Sequence, residues 1–242
     1  MPSLADYAHD LFQITLTDAQ SIQFEQYSAA LLDWNTRINL TAITEPQQVT
    51  VRHFLDSLSV MSVVTFDEGD KLIDVGTGAG FPGLPLAIMN PQLNVTLMEA
   101  TGKKLAFCEH IIQTLNLKNV KTLHARAEEA GQMSQHRAIY DVVTARAVAR
   151  LPILLEYILP LAKVEGLCIA LKGNTAESEV TDSTAALKAL GGEVQPLIEI
   201  KLPDVEDAHY LVTTIKVKST PRQYPRSAGK PVKEPIGVLK KD

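Results

Sequence analysis

Four glycines crowd into Asp74-Val75-Gly76-Thr77-Gly78-Ala79-Gly80-Phe81-Pro82-Gly83, directly behind the apolar pair Leu72-Ile73. Glycine lacks a Cβ, so such a turn lets a ligand lie against main-chain N–H groups where a strand gives way to a helix. Glu99 ends the next apolar run, 23 positions after Gly76, which is close to the spacing at which a carboxylate meets ribose hydroxyls. Together these features predict a nucleoside cofactor touching Gly76, Gly78, Gly80 and Glu99. The alternative is a glycine turn with a purely structural role.

The turn also discriminates between nucleosides. A pyrophosphate needs free donors at the helix start, but Phe81, Pro82 and Pro85 add bulk there and the two prolines remove two N–H groups. Asp74 repels phosphate and suits a cofactor that carries an ammonium and a sulfonium. S-adenosylmethionine fits both conditions.

In a doubly wound fold the ligand sits at the carboxyl ends of the strands, here Gly76, Glu99, Arg126 to Glu128, Thr144 to Arg146, and Lys172. Enzymes that methylate exocyclic amines typically carry Asn/Asp-Pro-Pro-aromatic after the fourth strand. This chain has Thr144-Ala145-Arg146-Ala147 there. Carbon-5 pyrimidine chemistry needs a thiol, yet Cys108 falls on an apolar helix face and Cys168 in mid-strand. What remains is a target that is already nucleophilic, such as guanine N7. Catalysis then reduces to orientation and electrostatics, with Arg146 donating to guanine O6 or holding the cofactor. An ion pair with a neighbouring carboxylate is the competing role for Arg146.

These positions require an alternating framework. Short β-branched runs at 71–75, 94–99, 120–124, 140–145, 166–172, 194–202 and 209–218 read as strands, with helical patterns at 103–115, 148–162 and 177–190. The order predicts a Rossmann-like α/β sheet of seven strands, mostly parallel, that closes in an antiparallel hairpin. Residues 1–66 read as a helical cap, 67–219 as the core and 220–242 as a basic tail. In the cap, Thr17 and Gln20 form a capping box, and Phe24, Tyr27, Leu31 and Trp34 follow at helical spacing as core. A helix from about Pro46 puts Val51, Phe54, Leu55, Leu58 and Met61 on one stripe and leaves Arg52, His53 and Asp56 on a solvated face.

The 242 residues are 45% apolar, enough for a sizeable core. The opening residues lack the apolar segment of a signal peptide, no stretch is long enough to span a membrane, and the two cysteines fit no metal spacing. A cytoplasmic protein without metal or membrane partner is expected. The net charge of −5 hides an asymmetry, since residues 216–242 hold eight Lys or Arg against two acidic residues. The Pro-rich segment Thr220 to Pro231 has little means of forming a helix and sets Tyr224 among cations, an arrangement suited to a phosphate backbone. A solvated tail without partner is the alternative.

Taken together the chain resembles the RsmG family (glucose-inhibited division protein B), the bacterial 16S ribosomal RNA guanine-N7 methyltransferases. The likeness rests on Trp34-Asn35, Ile38-Asn39-Leu40-Thr41, Arg52-His53-Phe54-Leu55-Asp56-Ser57, Asp74 to Gly83, Arg126-Ala127-Glu128, Thr144 to Arg150, Ala170-Leu171-Lys172 and Tyr224-Pro225-Arg226. The resemblance implies a class I S-adenosylmethionine-dependent fold and a guanine in the decoding-region loop of the small ribosomal subunit RNA as substrate. It further implies that Gly76 and Phe81 contact the cofactor, that Ala127 and Glu128 border its adenine, and that Arg146 reaches cofactor or guanine. It moves His53 and Asp56 from solvated face to pocket wall, and makes Asn39, Lys172, Arg222 and Arg226 candidates for RNA or target contact. Two rivals remain, an NAD-dependent oxidoreductase and a non-catalytic ribosome-assembly factor that binds RNA.

Overall fold

The computed structural model describes residues 2–238, so Lys240, Lys241 and Asp242 of the basic tail lie outside the described residues. The chain begins with α1 (Leu4–Phe12) and α2 (Asp18–Asn35). At the start of α2 the Thr17 hydroxyl accepts the Gln20 N–H at 3.2 Å, and Gln20 Oε1 accepts the Thr17 N–H at 2.9 Å, so the predicted capping box is present. A third helical stretch opens as α3 (Pro46–Val49), widens into a π-turn at Thr50–Leu55, continues as α4 (Asp56–Leu58) and tightens into a 3₁₀ turn at Ser59–Ser62. π-turns are uncommon and tend to occur at functional positions. This one carries Arg52 and His53.

The core follows as β1 (Lys71–Val75), α5 (Gly83–Met89), β2 (Asn94–Glu99), α6 (Gly102–Thr114), β3 (Val120–His124), α7 (Ala127–Ala130), β4 (Tyr140–Arg146), α8 (Leu151–Ile158), β5 (Ala162–Lys172), α9 (Ala176–Asp182), α10 (Thr184–Leu190), β6 (Gly192–Val194), β7 (Ile198–Ile200) and β8 (His209–Lys216), with α11 (Lys230–Lys233) in the tail. The sheet order is β3-β2-β1-β4-β5-β8, with β6 and β7 in line along the outer edge of β8. β1 to β5 pair in parallel, and β8 runs antiparallel to β5, β6 and β7.

The predicted seven strands are therefore seven lanes, the outermost broken in two. Pro196 sits in the gap between β6 and β7 and has no N–H for the ladder, which accounts for the break. The single helix expected over 177–190 is likewise two, α9 and α10, divided at Ser183, whose hydroxyl donates to the Glu179 carbonyl at 2.6 Å.

Two apolar clusters cover the two faces of the sheet. One joins Leu4, Phe24, Tyr27, Leu31 and Phe54 of the N-terminal helices to Leu84 of α5 and Phe107 of α6. The cap thus shares a core with the sheet. No helix among the described residues is long and apolar enough to cross a membrane.

The tail departs from its sequence reading, because residues 220–238 dock against α7, α8 and α10. Arg137 donates to four carbonyls, those of Gly131, Thr220, Pro221 and Tyr224, at 2.6 to 3.2 Å. Gln132 reaches the carbonyls of Arg222 and Pro225. Arg226 donates from Nε and Nη2 to Glu156, whose residue is fully buried. A one-turn helix, α11, forms where none is expected.

Candidate active site

The glycine turn lies at the carboxyl end of β1, and its backbone follows from its composition. Gly76, Gly78 and Gly80 have φ of 66°, 60° and 93°, values that side chains rarely adopt. A Cβ on Gly76 would stand 2.7 Å from Val148 Cγ2, so Gly76 is also a close approach. A Cβ on Gly78 would meet nothing nearer than 3.9 Å, so its open side faces the crevice.

Asp74 departs from the expectation that it greets a cation in the cofactor. It is fully buried, Oδ2 accepting the Thr77 hydroxyl (2.6 Å) and the Gly83 N–H (3.0 Å), and Oδ1 the Thr144 hydroxyl (3.0 Å). Burial pushes its carboxyl up to about 6, against the pull of those three hydrogen bonds. The consequence supports the discrimination made from the turn. The donor that opens α5 is already spent on the protein's own carboxylate, and no place is left there for a phosphate.

Glu99 ends β2 at the same crevice. Its carboxylate accepts the Gly78 N–H at 3.1 Å and the Thr101 N–H at 2.8 Å, bracing the turn while lone pairs remain on both oxygens. Cys108 of α6 is buried, its thiol pushed up by burial, and Sγ donates to the Gly78 carbonyl at 3.5 Å. Tyr27 of α2 donates its hydroxyl to the Ala79 carbonyl and stacks on Phe81 at 5.3 Å between centroids.

Over the turn stands the cap, and here the solvated-face reading of the third helical stretch is corrected. His53 and Asp56 are 9% and 4% exposed, because the face opposite the buried apolar stripe is itself covered, by Arg146 at the end of β4, by Phe81 and by His209. Arg146 Nη1 donates to Asp56 Oδ2 (2.9 Å) and the Arg52 carbonyl (3.0 Å), and Nη2 to His53 Nδ1 (3.2 Å). Its guanidinium lies 4.9 Å from the Phe81 ring centroid, and His53 stacks on the same ring at 4.7 Å. His53 Nδ1 also lies 3.2 Å from the Arg52 carbonyl, so it accepts from Arg146 in one tautomer and donates to that carbonyl in the other, while Nε2 lies 2.8 Å from Thr41 Oγ1. Burial and the Arg146 charge bring His53 down to about 4, so the ring is neutral at physiological pH. Burial alone would raise Asp56; hydrogen bonds from His209 and Arg146 and the Arg146 charge outweigh it and hold the carboxyl below its usual value.

The resulting cleft holds about 360 Å³ and is lined by Gly76 to Ala79, Phe81, Arg146, His53, Asp56, Thr41, Lys104 and His209 among others. A second cavity adjoins it, sharing Asp56, Arg146, Ala147 and His209 and adding Lys172. Gly80 lies behind the turn and faces Tyr27 and Leu84. Lys172 is half-buried, donating to the Ala149 carbonyl (2.6 Å) and paired with Glu179 at 2.7 Å. Ala127 and Glu128 follow β3 at the same end of the sheet, but the Glu128 carboxylate turns away to accept the Gly229 N–H of the tail at 3.1 Å. Asn39 is exposed at the cap, Arg222 is exposed on the tail, and Arg226 is bound to Glu156 on the far side of α8. Tyr27, Thr41, Lys104 and His209 were not singled out from sequence as site residues. Tyr27 reads as core because only its hydroxyl is chemical, and His209 and Lys104 belong to no motif.

A SAM-dependent O-methyltransferase from Thermotoga maritima superposes with a TM-score of 0.54 at 19% identity, covering 79% of this chain and 72% of that one. A SAM dependent methyltransferase from Aquifex aeolicus superposes at 0.53 and 18% identity, covering 71% and 94%. These likenesses establish the fold as the Rossmann-like class I methyltransferase type. In sequence, the Ribosomal RNA small subunit methyltransferase G of Desulforamulus reducens is 43% identical over 224 residues, 93% of this chain and 93% of that protein. Its namesake from Roseiflexus castenholzii is 48% identical over 223 residues, 92% of this chain and 94% of that protein. With a family model described as rRNA small subunit methyltransferase G (GidB) matching residues 20–206, the chain belongs to that family of methyltransferases.

Proposed function

We propose that this protein transfers a methyl group from S-adenosylmethionine to N7 of a guanine in the 16S RNA of the small ribosomal subunit. The carrying observation is the end of β4, where Arg146 is clamped by the cap and the carboxylates around it are already bonded. Both thiols are buried and pushed up by burial, so neither supplies a nucleophile. A target that is itself nucleophilic matches such a site.

When bound, S-adenosylmethionine supplies an electrophilic methyl on a sulfonium. The chain's own residues bind and orient. Gly76 and Gly78 leave the backbone open, Glu99 offers its remaining lone pairs to hydroxyls, and Phe81 with His53 forms an aromatic wall that excludes water. Arg146 keeps N–H groups beyond its three acceptors, available to an acceptor on cofactor or guanine. Residues 1–66 serve as the lid of the crevice, 67–219 as the catalytic core, and Asn39, Lys172 and Arg222 as contacts to RNA; no metal or membrane takes part, and the reaction belongs in the cytoplasm. Arg226 contributes by fixing the tail.

The test is mass-spectrometric mapping of small-subunit RNA incubated with the protein and S-adenosylmethionine. N7-methylguanosine at one position is expected, and methyl on another atom, or none, overturns the reading. An NAD-dependent oxidoreductase is disfavoured by the Asp74 carboxylate at the start of α5, and NADH binding without S-adenosylmethionine binding in calorimetry reverses that judgement.

A further inference from the structure

Asp56 has two oxygens and two partners. Oδ2 takes Arg146, and Oδ1 lies 3.1 Å from Nδ1 of His209, the first residue of β8. An ionised carboxylate only accepts, so Nδ1 carries the hydrogen of that bond. In the neutral ring this leaves the Nε2 lone pair bare, and no hydrogen bond to Nε2 occurs among the described residues. His209 is 22% exposed at its side chain and lines both the cofactor cleft and the adjoining cavity of about 240 Å³.

The same cavity is lined by Lys172, which pairs in register with Tyr210, the next residue along β8. Lys172 spends two N–H groups on Ala149 and Glu179 and has a third to offer. One cavity thus presents an acceptor and a donor from adjacent positions on adjacent strands. On guanine, the O6 acceptor and the N1–H donor are neighbours with the complementary polarity, and using them leaves N7 open. Adenine has a donor at N6 and an acceptor at N1, the reverse arrangement, and would set like against like at both points.

We infer that His209 is a specificity-determining residue, oriented by Asp56 so that Nε2 accepts a hydrogen from the N1–H edge of the target guanine. The inference rests on the guanine reading above. It assigns β8, the one reversed strand among the described residues, a direct part in choosing the base, and it gives Asp56 a second duty besides holding Arg146.

The experiment uses the full-length protein and small-subunit RNA carrying guanine or 2-aminopurine at the target position; 2-aminopurine keeps N7 and the amino group but lacks O6 and N1–H. Wild type should prefer guanine by on the order of 100-fold in kcat/KM, and His209→Phe should lose most of that preference through slower guanine turnover. His209→Gln, whose amide can donate to Asp56 and present an oxygen, should recover to within about tenfold of wild type. Affinity of both variants for S-adenosylhomocysteine should stay within about twofold, since the loss concerns the base. Undiminished preference in His209→Phe, or a loss residing in S-adenosylhomocysteine affinity, overturns the inference. A wild type that methylates neither RNA overturns the proposed function itself.

Discussion

The crevice and the tail seam each centre on an arginine held by a carboxylate that solvent scarcely touches, Asp56 at 6% side-chain exposure and Glu156 at 1%. The surroundings make them opposites. Arg226 gives Nε and Nη2 to Glu156 and Nη2 also to the Glu234 carbonyl, a fork-to-fork pairing that closes the seam. Arg146 divides its donors among three acceptors from one short stretch of the cap and lies over an aromatic ring beside open space. A guanidinium is available for function when its neighbours hold it without exhausting it, and the identity of the residue alone does not report which case applies.

Substitutions separate the two regions. The largest effect is expected from Gly78→Asp, which puts a side chain and a charge into the crevice while Asp tolerates the positive φ. Affinity for S-adenosylhomocysteine by calorimetry should fall on the order of 1000-fold, with unfolding free energy lowered only about 1 kcal/mol. Glu156→Gln should do the reverse, costing about 3 kcal/mol in denaturant unfolding by leaving the Arg226 charge without its partner, with cofactor affinity unchanged. Equal losses of stability and affinity in that variant would erase the distinction between seam and crevice.

Arg146→Ala should lower kcat/KM on the order of 100-fold and also cost about 3 kcal/mol in denaturant unfolding, because it leaves the buried Asp56 carboxylate with His209 as its remaining partner. His53 sharpens the comparison through pH. Its folded value of about 4 lies below the ordinary 6.5, so the unfolded chain binds a proton that the folded one refuses between those limits. Stability from this group is fully present above pH 6.5 and is lost as pH falls toward 4. Changing His53→Gln should therefore reduce the drop in unfolding free energy between pH 7 and pH 5 by about 1–2 kcal/mol. The smallest effect concerns RNA: Arg222→Ala should flatten the salt dependence of binding by at most about one phosphate contact, and Arg226→Ala, after correction for stability, not at all.

Much of this architecture is legible in the amino-acid order because strand periodicity and glycine placement are local signals. The spans of β1, β2 and β3 agree with their β-branched runs, and the Thr17–Gln20 box and the reversed closing strand are where spacing puts them. What escapes sequence reading involves partners far apart in the chain. Glu156 shows only as a charge interrupting an apolar run, and nothing near it indicates that its cation lies 70 positions on. Helical periodicity finds the apolar stripe Val51, Phe54, Leu55 and Leu58, which is buried as expected, but it assigns His53 and Asp56 to solvent because it does not report that Arg146 and His209, 90 and 153 positions beyond Asp56, cover the opposite face. The basic composition of the tail likewise reports charge but not the backbone carbonyls that Arg137 and Gln132 grip.

One consequence of Asp74 reaches beyond this crevice. By filling the mouth of α5 with a side chain of its own, the protein writes its preference among cofactors into the joint between strand and helix, where three hydrogen bonds also hold the scaffold together. Redirecting such an enzyme toward a phosphate-bearing ligand means dismantling a foundation stone first, so ligand choice and structural integrity have to evolve in step.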